Sequence, residues 1–291
     1  MNKLIISQPG NGLGNRLRNL SSCYIYAQEA GIPLQVQWDL FDKFWTSTLS
    51  FCELDLKKLR EDGVLSEYKG VQVCFPGTAK KIQRDCSNFI LIGGGQSFKL
   101  PTMTTAKYNS LKSDFYNSLI PHKEISEAAA AYVKENFEGR RILGVQLRGG
   151  DRGQHKEKMS LPTASALEII DKYVMDFDAL FLTSNDDTLL SLALDHYSQH
   201  KTLLFTRSLP VSSDPTGGGA FWQNAGKIHQ MREDLIEWYI LSQVDKLIYS
   251  HESSFAYEAL FLNKKTNAVE LTNPNRKNPS WENNIRPLIY A

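Results

Sequence analysis

The alternation of apolar runs with amphipathic stretches is clearest in the second half of the chain. Short β-rich apolar runs recur at 141–147, 179–183, 202–206, 246–249 and 266–271, and helical patterns fill the intervals at 163–175, 186–199, 227–243 and 253–263. The runs are apolar on every side chain, as strands covered on both faces must be. Strand–helix alternation of this kind predicts a parallel sheet between two helical layers. The first half is less regular. It offers a strand at 3–7, a Gly-rich turn, a helix over 15–30, and further strands at 34–37, 71–75 and 89–92, while 39–70 has mixed periodicity. A helix over 124–137 stops at Gly139, a favoured C-terminal cap residue, and the next strand opens the regular half. The expected organisation is therefore α/β, with Rossmann-like domains at 1–139 and 140–271 and a tail at 272–291. The tail is rich in Asn and Pro, then carries Trp281 and Ile285–Tyr290, and is expected to pack back on the first domain. Two such domains place the expected ligand cleft between them, at the carboxyl ends of the strands.

Composition narrows the function. The 291 residues are 42% hydrophobic and 22% charged, which is ordinary globular composition. Lys plus Arg total 33 against 32 for Asp plus Glu, a formal net charge of +1. That balance argues against nucleic acid or an anionic membrane surface as the partner. No apolar run approaches the roughly 20 residues of a membrane span. The opening MNKLIISQPG reads as a first strand better than as a signal peptide, so a soluble cytoplasmic enzyme of bacterial or viral type is expected. Cys23, Cys52, Cys74 and Cys86 show no Cys-x-x-Cys spacing, which points to free buried thiols in a reducing compartment. Asn19-Leu20-Ser21 matches a glycosylation acceptor inside a predicted helix and is read as chance.

Candidate chemistry lies in the loops that follow the strands. After the first comes Gly10-Asn11-Gly12-Leu13-Gly14-Asn15-Arg16-Leu17-Arg18. A dinucleotide fingerprint needs Gly or Ala where Asn15 stands, and a P-loop needs Gly-Lys-Ser/Thr, so neither reading holds. What remains is a tight turn at a helix N-terminus, either an anion seat or a plain strand-to-helix turn with Arg16 and Arg18 solvated. After 141–147 comes Arg148-Gly149-Gly150-Asp151-Arg152-Gly153. Arg148 at the end of a buried strand can grip a diphosphate in bidentate fashion, or pair with Asp151 across a surface loop. After 179–183 comes Ser184-Asn185-Asp186-Asp187, where Asn185 or Asp186 caps the next helix and one carboxylate could meet a ribose or base edge. After 246–249 comes Ser250-His251-Glu252-Ser253-Ser254-Phe255, a second seat offering hydroxyls as well as amides. The lone Asp-x-Asp, Asp176-Phe177-Asp178, precedes a strand and so lies at the wrong end of the sheet; with six scattered histidines, no metal site is expected.

Jointly these loops resemble the GDP-fucose-dependent fucosyltransferase superfamily. GNGLGNRLRNL (10–20) is similar to its Gly-x-Gly-Asn-Arg/Gln signature, GVQLRGGDR (144–152) to His-x-Arg-Arg-x-Asp, and LTSNDD (182–187) to Ala/Ser-x-Asp-Asp. REDLIEWYILSQVDKLIYSHESSFAYEALF (232–261) resembles the last motif. The resemblance implies a GT-B fold with the donor on the C-terminal domain and the acceptor mainly on the N-terminal one. It also implies inverting, metal-independent transfer of L-fucose from GDP-fucose to a saccharide hydroxyl. Carried over residue by residue, Arg148 would bind the β-phosphate, Asp186 the nucleoside, and Ser253 and Ser254 the diphosphate, with Asn15 beside the sugar. Gly12, Gly14, Gln146, Arg232 and Phe255 complete the expected donor-binding set. Two positions depart from the pattern: Gln146 stands where many relatives have His, and Gly149 replaces the second Arg. Asp151 and Asp39 (in Gln37-Trp38-Asp39) are the candidates for accepting the incoming hydroxyl's proton. Three other readings compete: another nucleotide-deoxysugar donor, a non-catalytic glycan- or nucleotide-binding protein, and an NAD-dependent oxidoreductase, which Asn15 disfavours. Acceptor contacts are expected between Asp39 and Asn117. There Trp38, Phe44, Trp45 and Phe51 could stack on sugars or form core.

Overall fold

The structure is a computed structural model that describes residues 4–9, 12–38, 40–46, 50–51, 70–74, 81–82, 87–149, 161–198, 203–206, 228–251, 253–262, 267–272, 285–287 and 289–290. The chain divides into two units, Met1–His122 with Trp281–Ala291, and Lys123–Ser280.

The first unit runs β1 (Leu4–Pro9), α1 (Leu13–Ala30), β2 (Leu34–Val36), β3 (Trp45–Thr46), β4 (Ser50–Phe51), β5 (Gly70–Cys74), β6 (Lys81–Ile82), β7 (Ser87–Gly94), β8 (Phe98–Lys99), α2 (Thr105–Ser118) and β9 (Ile120–Pro121). Its main sheet is parallel in the order β4-β2-β1-β7-β5, with β1 and β7 paired from Leu4–Phe89 to Pro9–Gly94. The chain end returns as two short strands, Arg286–Pro287 on β8 and Ile289–Tyr290 on β6. Packing here is unusually polar. In α1, Arg18, Asn19, Ser21 and Ser22 are all buried. Ser7 donates to Asn19 Oδ1 at 2.8 Å, and Ser22 and the Tyr108 hydroxyl lie 2.7 Å apart. Asn19 is therefore closed to any glycan. Trp38, Phe41, Phe44 and Trp45 are buried against one another, with Trp38 and Trp45 ring centroids 5.6 Å apart. For Trp38, Phe44 and Trp45 the core reading holds. Cys23 is a buried free thiol, while Cys52 and Cys86 lie outside the described residues.

The second unit runs α3 (Lys123–Phe137), β10 (Ile142–Leu147), α4 (Thr163–Val174), β11 (Ala179–Ser184), α5 (Asp187–Ser198), β12 (Leu203–Thr206), α6 (Ile228–Leu241), β13 (Lys246–Ser250), α7 (Ser254–Ala259) and β14 (Asn267–Leu271). Its five strands are parallel in the order β12-β11-β10-β13-β14, so the chain winds outward from β10 in one direction and from β13 in the other. Leu143, Val145 and Leu147 of β10 and Leu180 and Leu182 of β11 pack on Ala166, Ile170 and Val174 of α4 and Ala193 and Tyr197 of α5. The opposite face carries α3 and α6, and there Phe181 meets Tyr132 and Phe137 of α3 at 5.7 and 5.6 Å.

These contacts move one expected boundary. The helix ending at Gly139 belongs by packing to the second unit, so the division falls before α3 and not at 139. Gly139 itself has φ 72°, the left-handed conformation that ends a helix most easily when no Cβ is present. Among the described residues no helix is long and apolar enough to cross a membrane.

Gly144 sits in the middle of β10, where a Cβ would stand 2.8 Å from Val244 Cγ2 and 2.9 Å from its Cγ1. Valine favours strands, but the Val244 side chain is β-branched and stiff, so overpacking outweighs propensity. Gly144→Val is expected to lower stability by about 1–3 kcal/mol in urea-induced unfolding.

Candidate functional site

The reversal of strand order between β10 and β13 creates the crevice in which doubly wound sheets bind ligands, outside the carboxyl ends of the strands. Arg148 is the first residue past β10. Its amide donates to Ser250 Oγ at 2.9 Å, which ties the exit of β10 to the exit of β13. On the other side Asn185, just past β11, holds both backbone groups of the next residue. The Gly149 amide donates to Asn185 Oδ1 at 3.1 Å, and Asn185 Nδ2 donates to the Gly149 carbonyl at 3.0 Å. The peptide that carries the Arg148 side chain is thus fixed from both neighbouring strands.

Gly149 has a steric reason. A Cβ there would lie 2.5 Å from Asp186 Oδ2 and 2.5 Å from Leu189 Cδ1. Asp186 cannot retreat, because its Oδ1 accepts from the amides of Thr188 and Leu189 at 3.0 and 3.2 Å and its own amide donates to Ser184 Oγ. Of the two residues considered for the cap of α5, Asp186 takes that role and Asn185 locks Gly149 instead. Its Oδ2 remains beside the residue 149 backbone.

Across the crevice Ser253 caps α7, its Oγ accepting from the Ala256 amide at 3.2 Å, while its own amide donates to the Ser250 carbonyl at 2.8 Å. Ser253 and Ser254 are buried and Phe255 is partly exposed. Arg232, near the start of α6, pairs with Glu124 near the start of α3 at 2.8 Å. Gln146, penultimate in β10, is 5% exposed and donates from Nε2 to the Leu147 carbonyl at 3.2 Å. Asp178 stands at the far end of the sheet, its carboxylate taking the Arg141 amide at the entrance to β10. The Asp-x-Asp is a structural feature of the amino edge.

In the first unit Gly12 precedes α1 with extended backbone (φ −69°, ψ 171°), and no side chain caps the helix. The first turn of α1 also contains no acidic residue, so the amides from Leu13 onward and the helix dipole are left for an anion. Gly95, just past β7, comes so close to Asn15 that a Cβ would lie 2.6 Å from the Asn15 Cβ. This backbone approach fixes Asn15 at the exit of the two central strands. Arg16 and Arg18 are buried, Arg16 with its guanidinium 5.2 Å from the Trp38 ring centroid, so neither is simply solvated. Asp39 and Asp151 lie outside the described residues.

The architecture has solved counterparts. NodZ, an α-1,6-fucosyltransferase from Bradyrhizobium, superposes with a TM-score of 0.58 over 95% of this chain and 97% of its own, at 17% identity. A point mutant of Arabidopsis thaliana FUT1 in complex with GDP gives 0.62 over 96% and 73%, at 14% identity. POFUT1 in complex with GDP gives 0.53 over 93% and 99%, at 10% identity. The fold is that of the fucosyltransferases. The sequence matches no family profile and no curated protein, so the likeness resides in the fold, and the chain's chemistry must be read from its own residues.

Several residues at the strand exits escape a reading of the sequence. Ser250 and Asn185 act through backbone atoms more than 30 residues away, which no local pattern records. His251 is a further case: its buried ring nitrogen Nδ1 pairs with the Glu270 side chain, Oε1, on β14 and joins the β13–α7 turn to the sheet edge. The cap contributes the most testable of these links. Asp186→Ala is expected to cost about 0.5–2 kcal/mol, read as a lower melting temperature. Gly149→Ala should cost more than this, because its methyl meets both Asp186 and Leu189.

Proposed function

We propose that this chain is an inverting, metal-independent glycosyltransferase that moves L-fucose from GDP-fucose to a saccharide hydroxyl. The observation that carries the reading is the doubly tethered Arg148 peptide at the strand-order reversal, within a fold shared with fucosyltransferases. The second unit is assigned the donor and the first the acceptor.

The roles follow from charge. As the sugar–phosphate bond breaks, negative charge grows on the departing diphosphate and positive charge on the sugar ring. Arg148 would take the β-phosphate, with Ser253 and Ser254 as further fixed donors to the diphosphate; the amides near Gly12 and Gly14 are a separate anion-seat candidate of the first unit. Arg232 would add a second guanidinium, exchanging Glu124 for a phosphate oxygen. Asp186, with Oδ1 committed to its helix, offers Oδ2 to the nucleoside, and Phe255 and Gln146 border it. Asn15 is assigned to the sugar, and Asp151 or Asp39 to the acceptor's proton.

A second reading keeps the fold and changes the donor to another nucleotide-linked deoxysugar. Gly149 favours it, because Asp186 and Leu189 fill the space where the resembled motif has Arg. Donor screening by melting shift separates the two, since a ligand at 100 times its dissociation constant adds about 2.7 kcal/mol. Product formation with any acceptor eliminates a purely binding role.

Arg148→Ala is expected to lower turnover of GDP-fucose by about 100- to 1,000-fold, the usual cost of one fixed donor to a developing anion. Arg148→Lys should be nearly as damaging, because the planar fork is lost. Both are read by GDP release with and without EDTA, and EDTA should leave the wild-type rate unchanged. Near-normal turnover by either variant refutes the assignment.

A further inference from the structure

Among the described residues of the second unit, the buried polar atoms that make no hydrogen bond include Gln146 Oε1, Thr183 Oγ1 and Arg232 Nε. The first two are widely separated in the chain but adjacent in the fold. Gln146 and Thr183 are register partners on β10 and β11, penultimate in their strands and 5% and 3% exposed. Their neighbours Leu147, Val145 and Leu182 point to the face covered by α4 and α5. By strand alternation Gln146 and Thr183 point to the other face, the side on which Phe181 meets α3. Both α3 and α6 lead directly into a parallel strand, so their N-terminal ends lie over the carboxyl ends of the sheet. The Arg232–Glu124 pair joins those two N-terminal ends. Gln146 and Thr183 therefore lie side by side on the α3/α6 face at the carboxyl end of the sheet, the end over which the Arg232–Glu124 pair stands.

A buried polar atom without a partner costs about 1–3 kcal/mol, so adjacent orphans on one sheet face call for a partner. Their chemistry identifies what satisfies them. Gln146 holds its amide toward the Leu147 carbonyl, so its oxygen can only accept. Arg232 Nε can only donate, and Thr183 can do either. A phosphate oxygen would serve Arg232 and Thr183 and leave Gln146 unmet. A hydroxyl gives one hydrogen bond and takes others, and side chains exposed by only 3–5% admit a group of that size more readily than a ring.

We propose that Thr183, with Gln146 and Arg232, forms a hydroxyl-binding subsite for the donor, which rests on the nucleotide-sugar reading above. The hydroxyl belongs either to the ribose or to the transferred sugar, and the two sources separate experimentally. Thr183→Val keeps the shape and removes the hydroxyl; Thr183→Ser restores it, and Gln146→Met removes the acceptor. Calorimetry with GDP and with GDP-fucose should show Thr183→Val and Gln146→Met binding about 5- to 10-fold more weakly, and Thr183→Ser within about twofold of wild type. Equal losses for both ligands place the ribose at this subsite; a loss confined to GDP-fucose places the transferred sugar there. Without ligand, Thr183→Val should melt no lower than wild type, because an unpaired hydroxyl has been replaced by a methyl. Unchanged affinity for both ligands in Thr183→Val overturns the subsite and leaves the donor reading standing. A wild type that binds neither GDP nor GDP-fucose overturns both.

Discussion

The second unit depends on the way the backbone leaves β10. Strand exits are ordinarily where a sheet hands over to mobile loops. Here the peptide at 148–149 is bonded to Ser250 on one flank and twice to Asn185 on the other. The constraint propagates outward: Asp186 is held by the amides it caps, Asp186 leaves no room for a side chain at 149, and the bare Gly149 backbone can then lie flat against Asn185. A guanidinium mounted on such a peptide starts from a fixed backbone position, so only its side-chain rotamers are left to order when it meets an anion. That is what charge stabilisation in a reaction requires, because donors that must reorganise lose much of their effect.

The two units achieve order by different means. In the second, apolar faces of a parallel sheet meet apolar helix stripes, and stability rests on buried area. In the first, α1 turns Arg18, Asn19, Ser21 and Ser22 inward, where Ser7 donates to Asn19 Oδ1, Ser22 meets the Tyr108 hydroxyl, and Ser21 and Ser22 donate to the Arg18 carbonyl. Polar networks of this type specify one geometry closely, and they also leave the uncapped N-terminal amides of α1 and the Asn15–Gly95 contact well positioned.

The two departures from the fucosyltransferase pattern both fall in β10 or just past it. Glutamine at 146 presents a neutral amide at every pH where histidine would titrate. Glycine at 149 is tied to the position of Asp186. Each departure therefore has a local partner, Thr183 in one case and Asp186 in the other, and alters what the crevice can hold without disturbing the sheet.

The sequence by itself determined the alternation of strand and helix in the second half, the parallel sheet, and the loops that hold Arg148, Asp186 and Ser253, because a strand buried on both faces must be apolar throughout and a loop residue need not be. It also determined that the glycine-rich turn precedes a long helix. It left 39–70 unassigned because the periodicity there is mixed, and it could not tell that serine, asparagine and arginine in α1 are buried, since they look like surface residues to any pattern based on hydrophobicity. It placed α3 in the wrong unit, because a helix carries no mark of which sheet its apolar stripe will meet. The tertiary structure alone decided that Asp186 and not Asn185 caps α5, that Ser250 and Asn185 clamp residues 148–149, and that Gln146 and Thr183 stand side by side at the carboxyl end of the sheet. Those are pairings between strands and helices far apart in the chain, fixed by sheet register and helix direction, which come into being only when the chain has folded.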